Sequence, residues 1–239
     1  MIERLLMKLR ARDDIGEAEE QALRHAARDV RDLPSDRTFI RRGEELSHST
    51  LLLDGLICRY KDLGGGERQI TELHVPGDFA DLHSFTLKKL DHNMMSLTPC
   101  RIALVPHQSL EAITREFPHL TRILWFLTNL DAAIHREWVL SLGRRSALSR
   151  MANLFCELHV RLGLVGLTDA AGYGFQITQE ELAECLGLTA VHVNRTLKEL
   201  RERGLVEFRS KRVELLDLDG LKRVAEFDPS YLYLGRRAT

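Results

Sequence analysis

The chain has no long hydrophobic run, few cysteines and almost no net charge. No stretch of about 18 consecutive apolar residues occurs in its 239 residues, which argues against a transmembrane helix. The first ten residues are amphipathic and do not resemble a signal peptide, so we expect a cytoplasmic protein without a membrane partner. The formal net charge is −1, so overall charge gives no argument for a nucleic-acid partner.

The metal-binding and catalytic patterns that the chain lacks exclude several function classes. Its four cysteines are far apart and form no C-x-x-C pair, so we expect buried free thiols and no zinc or iron–sulfur site. His74, His83 and His92 lack the His-x-His spacing of metal-binding cupins. The sequence shows no recognisable pattern of a catalytic nucleophile with its base. We therefore expect a protein that is not an enzyme, with a cupin-type metalloenzyme as an alternative.

What the chain does contain is a pair of short helical patterns between Phe175 and Val206. Thr178 and Glu181 have the spacing of a capping box at the start of the first helix. Gly187 can adopt the left-handed conformation that ends that helix, and Thr189 can cap the second. Two helices joined by a glycine turn are typical of a helix-turn-helix.

The second helix has one apolar and one polar face. Val193, Leu197 and Leu200 form the predicted buried stripe. On the other face, Arg195 can contact guanine and Asn194 can contact adenine through two hydrogen bonds each. The alternative is a three-helix packing unit whose polar face is simply solvated. Residues 204–216 then alternate like a hairpin with a basic tip at residues 209–212, which favours a wing that contacts phosphates.

The N-terminal half combines a helix with short strand-like runs. We predict a helix from about residue 17 to residue 32 and strands near residues 38–45, 49–60, 68–78 and 101–106, separated by glycine and proline turns. This spacing predicts a jelly-roll domain. The fold class is therefore α+β, with a sensor domain at residues 1–115, a dimerisation helix and hinge at 116–143, and a winged helix-turn-helix domain at 144–239.

The longest helical pattern, residues 116–141, is apolar on two sides. One row has the alternating four and three spacing of a coiled-coil seam, and we predict it as a dimer interface. It comprises Leu120, Leu124, Leu127, Asp131, Ile134 and Trp138. The alternative is a single core-facing helix in a monomer. Gly143 is expected to interrupt this helix and act as a hinge.

The order of β-roll, long helix, helix-turn-helix and wing resembles the Crp/Fnr family of bacterial transcription regulators. The most specific stretches are residues 40–44, 75–79 and 177–197. The resemblance implies a homodimer on a palindromic site of double-stranded DNA, with half-sites about 34 Å apart. It also implies a small-molecule effector at the β-roll, and RNA polymerase as a partner if the chain is an activator.

The resemblance places the base-reading positions on Ala190, Val191, Asn194 and Arg195. Val191 stands where the family commonly has a glutamate, so the operator is expected to differ from that of the cyclic-AMP regulator. Including phosphate contacts, the predicted DNA-binding residues are Thr178, Thr189, Ala190, Val191, His192, Asn194, Arg195, Lys198, Arg209, Lys211 and Arg212.

The effector expected from the resemblance is not cyclic AMP. Leu90 stands where cyclic-AMP-binding members have an arginine, and Asp91 would repel the phosphate. His83 falls at a haem-ligand position of carbon-monoxide-sensing members, but Asp81 replaces their cysteine ligand, so haem is not expected either. A haem- or metal-dependent sensor of the same family stays an alternative, as does a regulatory module that binds no DNA. The predicted effector pocket comprises Asp81, Leu82, His83, Leu90 and Asp91.

Overall fold

The computed structural model describes residues 1–235, which fold as two compact units. Unit 1 comprises residues 1–60, 73–133 and 233–235, and unit 2 comprises residues 61–72 and 134–232. The boundary at 133/134 lies ten residues before the predicted domain boundary at 143/144. Among the described residues, no helix has both the length and the apolarity that a membrane span needs.

Seven strands and the first helices build the N-terminal part of the chain. The elements are α1 (Glu3–Arg10), α2 (Glu17–Ala26), β1 (Asp29–Leu33), β2 (Arg37–Ile40), β3 (His48–Asp54), β4 (Ile57–Asp62), β5 (Arg68–His74), α3 (Ser84–Leu87), β6 (Asn93–Ser96), β7 (Cys100–Pro106) and α4 (His107–Glu116). The strands form two antiparallel sheets, in the orders β1-β7-β3 and β2-β6-β4-β5. The predicted β-rich domain is therefore confirmed.

The predicted helix over residues 17–32 is wrong in its second half. The helix ends at Ala26, and residues 29–33 form β1, which pairs with β7 in the register Val30↔Ala103. The prediction followed local helical periodicity, whereas pairing with a strand some 70 residues away decides the conformation. Strand β6 was not predicted, although it joins β2 to β4.

Two apolar clusters stabilise unit 1. One includes Leu52 and Ile102 from the first sheet with Ile57 and Met94 from the second, so it fills the interior of the β-roll. The other combines side chains from α1, α2, α4 and α5 with Leu51 of β3 and with β7. The helices therefore cover the outer face of the three-stranded sheet, since neighbouring strand residues point to opposite faces.

The longest helix, α5 (Pro118–Arg144), is continuous through Gly143. The predicted interruption at Gly143 is wrong, because a glycine in the last helical turn costs little and retains the helical backbone. The chain leaves the helix at residue 145, and Ser146 caps the next helix by accepting a hydrogen bond from the Ser149 amide at 3.2 Å.

Unit 2 contains the C-terminal helices and a small sheet. Its elements after α5 are α6 (Ala147–Gly163), β8 (Thr168–Asp169), β9 (Gly172–Gly174), α7 (Gln179–Leu186), α8 (Ala190–Glu202), β10 (Val206–Arg209), β11 (Arg212–Leu215), α9 (Leu218–Ala225) and a 3₁₀ turn at Pro229–Leu232. The sheet order is β10-β11-β9-β8. Phe155, Tyr173, Phe175 and Phe208 form an aromatic core with ring centroids 6.0 to 6.3 Å apart.

Candidate nucleic-acid interface and effector region

The helix-turn-helix has the predicted caps and turn. Thr178 Oγ1 accepts from the Glu181 amide at 3.1 Å, and the Glu181 carboxylate accepts from the Thr178 amide at 2.6 Å, which confirms the capping box. Gly187 has φ of +58°, so the left-handed end of α7 is confirmed. Thr189 caps α8 by accepting from the His192 amide at 3.3 Å. Local polar contacts thus fix where both helices begin and where α7 ends.

Helix α8 presents its polar face to solvent. Val193 and Leu200 are fully buried as predicted, while Leu197 is half-buried and Thr196 is buried in its place. Val191 is 79% exposed. Ala190 is half-buried. The other predicted contact residues of the helix-turn-helix are exposed: Thr178, Thr189, His192, Asn194, Arg195 and Lys198. Most of the predicted base-reading and phosphate-contacting side chains of the helix-turn-helix are therefore accessible to solvent.

The predicted wing is the β10–β11 hairpin. Its two turn residues, Ser210 and Lys211, have φ of 52° and 60°, as in the tight turns that join antiparallel strands. Arg209 and Lys211 are exposed. Arg212 is half-buried and pairs with Asp169 through Nη2 at 2.5 Å, which lowers the pKa of that carboxyl. The Arg212–Asp169 ion pair therefore links the wing to the β8–β9 hairpin. Arg209 and Lys211 carry the accessible positive charge of the wing.

The predicted dimer seam is wrong in most of its members, because the chain buries them itself. Leu120 and Leu124 lie in the core of unit 1, and Leu127 packs beside them half-buried. Ile134 and Trp138 are buried in unit 2, and the Trp138 indole donates to Glu157 at 3.2 Å. Asp131, half-buried, is paired with an arginine. When a helix is apolar on two sides, its sequence does not show which side packs into the core of its own chain.

The exposed side of α5 has its own seam-like row. Trp125 and Val139 are both 69% exposed, and the adjacent Leu140 is 47% exposed. At alternating spacings of four and three, the exposed row comprises Trp125, Asn129, Ala132, Arg136 and Val139. We call this row the α5 stripe. Trp125, Ala132 and Val139 are the apolar members of the stripe, and exposed apolar side chains on one helix face are typical of an interaction surface.

The five predicted effector residues lie in different surroundings. Leu82 belongs to the cluster under the helices, whereas Leu90 belongs to the β-roll interior. His83 is half-buried with its ring centroid 5.6 Å from that of His92, and Asp91 is exposed. The predicted effector pocket stays a prediction, and two of its members, Leu82 and Leu90, are core side chains of different clusters. A cleft of about 270 Å³ lies elsewhere in unit 1, lined by residues of β1, β2, β3 and β7.

Asp81 is a fully buried carboxyl. One of its oxygens accepts from the Thr50 amide, and Oδ2 has no hydrogen-bond partner among residues 1–235. Burial raises the pKa of Asp81 to about 7, against the opposing effects of the Thr50 amide and the Arg59 charge. The Asp81 carboxyl is therefore inaccessible to a ligand in solution.

Arg59 on β4 is a functional candidate that the sequence reasoning missed. Its side chain is 3% exposed, and its guanidinium donates to the Ala80 carbonyl and to both oxygens of Asp131 on α5. The sequence does indicate that Arg59 is buried, because strand alternation places it on the same side as the apolar Ile57. A buried arginine must be paired, so the alternation alone points to an acidic partner.

A second buried polar cluster, in unit 2, lies around Glu157. This fully buried carboxylate accepts from the Trp138 indole, from Arg161 at 2.8 Å and from the Tyr231 hydroxyl at 2.8 Å. In the same unit, Gln69 donates to the Glu184 carbonyl of α7 at 2.6 Å. Residues far apart in sequence therefore complete the unit that contains α7 and α8.

Comparison with known proteins agrees with this architecture. Residues 30–117 match the family model of the cyclic nucleotide-binding domain, and residues 149–224 match that of the Crp-like helix-turn-helix domain. The transcriptional activator protein FnrA of Stutzerimonas stutzeri is 25% identical over 195 residues, 82% of this chain and 80% of that protein. The nitrogen fixation regulation protein FixK of Azorhizobium caulinodans is 29% identical over 175 residues, 73% of this chain and 70% of that protein.

A solved structure gives the same fold. The FixK2 structure from Bradyrhizobium japonicum superposes with a TM-score of 0.74, covering 88% of this chain and 98% of that one, at 23% identity. That likeness establishes the fold alone, whereas the two family models and the curated regulators establish the class. With its cyclic nucleotide-binding-like domain, long helix and helix-turn-helix DNA-binding domain, the chain belongs to the Crp/Fnr family of transcription regulators.

Proposed function

We propose that the chain acts as a homodimer that binds a palindromic operator sequence-specifically, with one α8 helix in each half-site. The observation that carries the proposal is the accessible polar face of α8, where Asn194 and Arg195 are exposed on the helix's first two turns. A recognition helix contacts base edges with its N-terminal residues. On the wing, Arg209 and Lys211 would contact the flanking phosphates.

The side chains of α8 define which bases it can read. Asn194 Nδ2 donates to the Ala190 carbonyl at 3.1 Å, which uses one of its two amide hydrogens. The other hydrogen and Oδ1 remain for a bidentate contact to adenine, and Arg195 can pair with guanine in the same way. Val191 cannot accept a hydrogen bond from cytosine but can contact a thymine methyl group.

The experiment is selection of binding sites from random DNA, followed by affinity measurements at fixed salt. Arg195→Ala should weaken specific binding by about 1–3 kcal/mol, the usual loss for one bidentate base contact. Arg201→Ala is the matched control, since Arg201 is an exposed arginine at the other end of α8. Equal losses in the two variants would mean that Arg195 contributes charge and does not read a base.

The α5 stripe is the proposed dimer surface. Its exposed apolar side chains support this, because a coiled-coil seam needs such residues at spacings of four and three. Trp125→Glu should convert the dimer to a monomer in sedimentation velocity, because it places a charge in an apolar interface. Leu87→Glu, at a residue 63% exposed on α3, is the control and should stay dimeric. A dimeric Trp125→Glu variant would place the interface elsewhere.

RNA polymerase is a further expected partner, since one relative is named as a transcriptional activator. For the effector that family membership suggests, two of the expected side chains are inaccessible: Leu90 is 2% exposed in the β-roll interior and Asp81 is fully buried. Cyclic AMP would bring its phosphate towards carboxylates with no arginine at position 90, so we do not propose it as the ligand. Haem through His83 is not proposed either.

A further inference from the structure

We infer that Asp131 acts as a tethered ligand, that is, a ligand that is part of the chain itself. Its carboxylate binds Arg59 and so fixes the β-roll to α5 without a small-molecule effector. The inference concerns the regulation of the proposed DNA-binding function and rests on it for one of its readouts. Arg59, Ala80 and Asp131 all belong to unit 1.

The guanidinium of Arg59 is fully engaged in a directional arrangement. Nη1 donates to Asp131 Oδ2 and Nη2 to Asp131 Oδ1, both at 2.8 Å. Nε donates to the Ala80 carbonyl at 2.9 Å, and Nη2 also reaches that carbonyl. Planar two-by-two pairing of this kind is the strongest geometry between an arginine and a carboxylate.

Burial makes this pair different from a surface ion pair. The Arg59 side chain is 3% exposed and the Asp131 side chain 22% exposed, so water compensates little of either charge. An arginine cannot release its proton to avoid the cost of burial. Arg59 therefore requires an anion at this position, and the chain itself supplies one from α5.

The position of the pair gives it a regulatory meaning. Ala80 opens the segment 80–84, in which an effector was expected, Arg59 lies on β4, and Asp131 lies on α5. The pair thus joins the three elements that an effector between the β-roll and the long helix would have to join. Helix α5 continues without a break to Arg144, and its residues from 134 onward belong to the unit that contains α8. Fixing α5 at Asp131 therefore constrains the helix that leads into the DNA-binding unit.

An external anion would have to displace Asp131 from Arg59. The tethered carboxylate competes at a high effective concentration, since it is attached to a helix already packed against the β-roll. Free anions such as acetate or cyclic AMP should therefore have little effect on the wild-type chain. Removing the carboxylate but keeping Arg59 should create a site for a small carboxylate.

The test is chemical rescue in the full-length protein. Wild-type protein, shown by mass spectrometry of a denatured sample to carry no small molecule, should bind its operator with full affinity. Asp131→Ala should lose about tenfold or more in specific DNA affinity, within the usual range of coupling between sites. Sodium acetate or formate should restore most of that affinity, whereas sodium chloride at equal ionic strength should not.

Two variants separate this role from a purely structural one. Asp131→Asn fills the same space with an amide, so it should lose affinity without acetate rescue. Glu111→Ala removes an exposed carboxylate that pairs with Arg115 on α4, so it should resemble wild type. The melting temperature of Asp131→Ala should rise with acetate in the same way, and this readout still decides the matter if the variant is too unstable to bind DNA.

Failure of the tethered-ligand inference and failure of the proposed function give different results. The tethered-ligand inference is wrong if wild-type protein binds DNA only after a small molecule is added, or if acetate raises neither the affinity nor the melting temperature of Asp131→Ala. The proposed function fails separately, if Arg195→Ala leaves specific DNA binding unchanged.

Discussion

Replacing the buried Asp81 by asparagine should change how stability depends on pH. The Asp81 carboxyl is fully buried, and burial raises its pKa to about 7. Asparagine has nearly the same shape and can still accept the hydrogen bond from the Thr50 amide, but it cannot ionise. The variant therefore removes one titration and conserves the packing and the main hydrogen bond.

The magnitude follows from the difference between the folded and unfolded pKa values of this carboxyl. A shift from 3.8 to about 7 corresponds to about 4 kcal/mol of cost to the folded state, at about 1.4 kcal/mol per unit. Because the folded pKa is raised, the cost is absent below the unfolded pKa. It grows as pH rises and is complete above the folded pKa. Between pH 5 and pH 8, about 2–3 kcal/mol of it should develop.

The assay is urea denaturation at four pH values from 5 to 8, followed by circular dichroism. The stability of Asp81→Asn relative to wild type should increase by about 2–3 kcal/mol across this range. Burial also lowers the pKa of His107 to about 4, which costs stability as pH falls below 6.5, but both proteins share that effect. Asp32→Asn, at an exposed carboxyl, is the control. A constant difference between Asp81→Asn and wild type would refute the reasoning.

Three further predictions concern the helix cap, the wing and the ligand. Thr178→Ala should lower the free energy of unfolding by about 1 kcal/mol, through loss of an N-cap, as measured by thermal melting. Gly172→Ala would place a Cβ 2.0 Å from the Val213 carbonyl at φ of +148°, so the variant should lose well over 2 kcal/mol. Gly174→Ala, with nothing within 4 Å, should not show this steric loss. In protease-digestion experiments, the wing of Gly174→Ala should resist cleavage better than that of Gly172→Ala. Calorimetry with cyclic AMP at physiological concentrations should show no binding heat, whereas micromolar affinity would contradict the role assigned to Leu90.

The helix-turn-helix could be predicted from the sequence because its signals are local. Thr178, Glu181, Gly187 and Thr189 act on backbone groups within four residues of themselves, so spacing alone identifies them. The hairpin tip at residues 209–212 is equally local, since two successive turn residues determine it. Such features depend little on the rest of the fold.

The dimer seam and strand β1 could not be predicted because they depend on distant parts of the chain. Both faces of α5 carry apolar residues, and the core of unit 1 takes Leu120 and Leu124 but leaves Trp125 in solvent. Residues 29–33 become a strand because β7 supplies hydrogen-bond partners. The choice between equivalent local patterns is made by tertiary packing, which periodicity does not encode.

The predicted effector residues show the same limit. The resemblance assigns Leu82 and Leu90 to one effector region, but the two side chains belong to different apolar clusters. The Arg59–Asp131 pair spans 72 residues of sequence, and nothing near Asp131 marks it as the partner. The helical spacing of Asp131 fits a dimer seam equally well, so spacing alone predicts the wrong partner.

The buried Glu157 cluster determines where this protein can be divided and recombined with others. Trp138 lies on α5, before the predicted domain boundary, yet its indole completes the hydrogen bonds of a fully buried carboxylate. A chimera that takes over residues 144–239 would carry Glu157 without that donor, and also without Gln69, which donates to α7. Leaving a buried acceptor short of a donor costs about 1–3 kcal/mol, enough to make such a hybrid marginal. A junction at residue 134 conserves the Trp138 donor, although not Gln69, so the better junction for a hybrid of this regulator lies inside its longest helix.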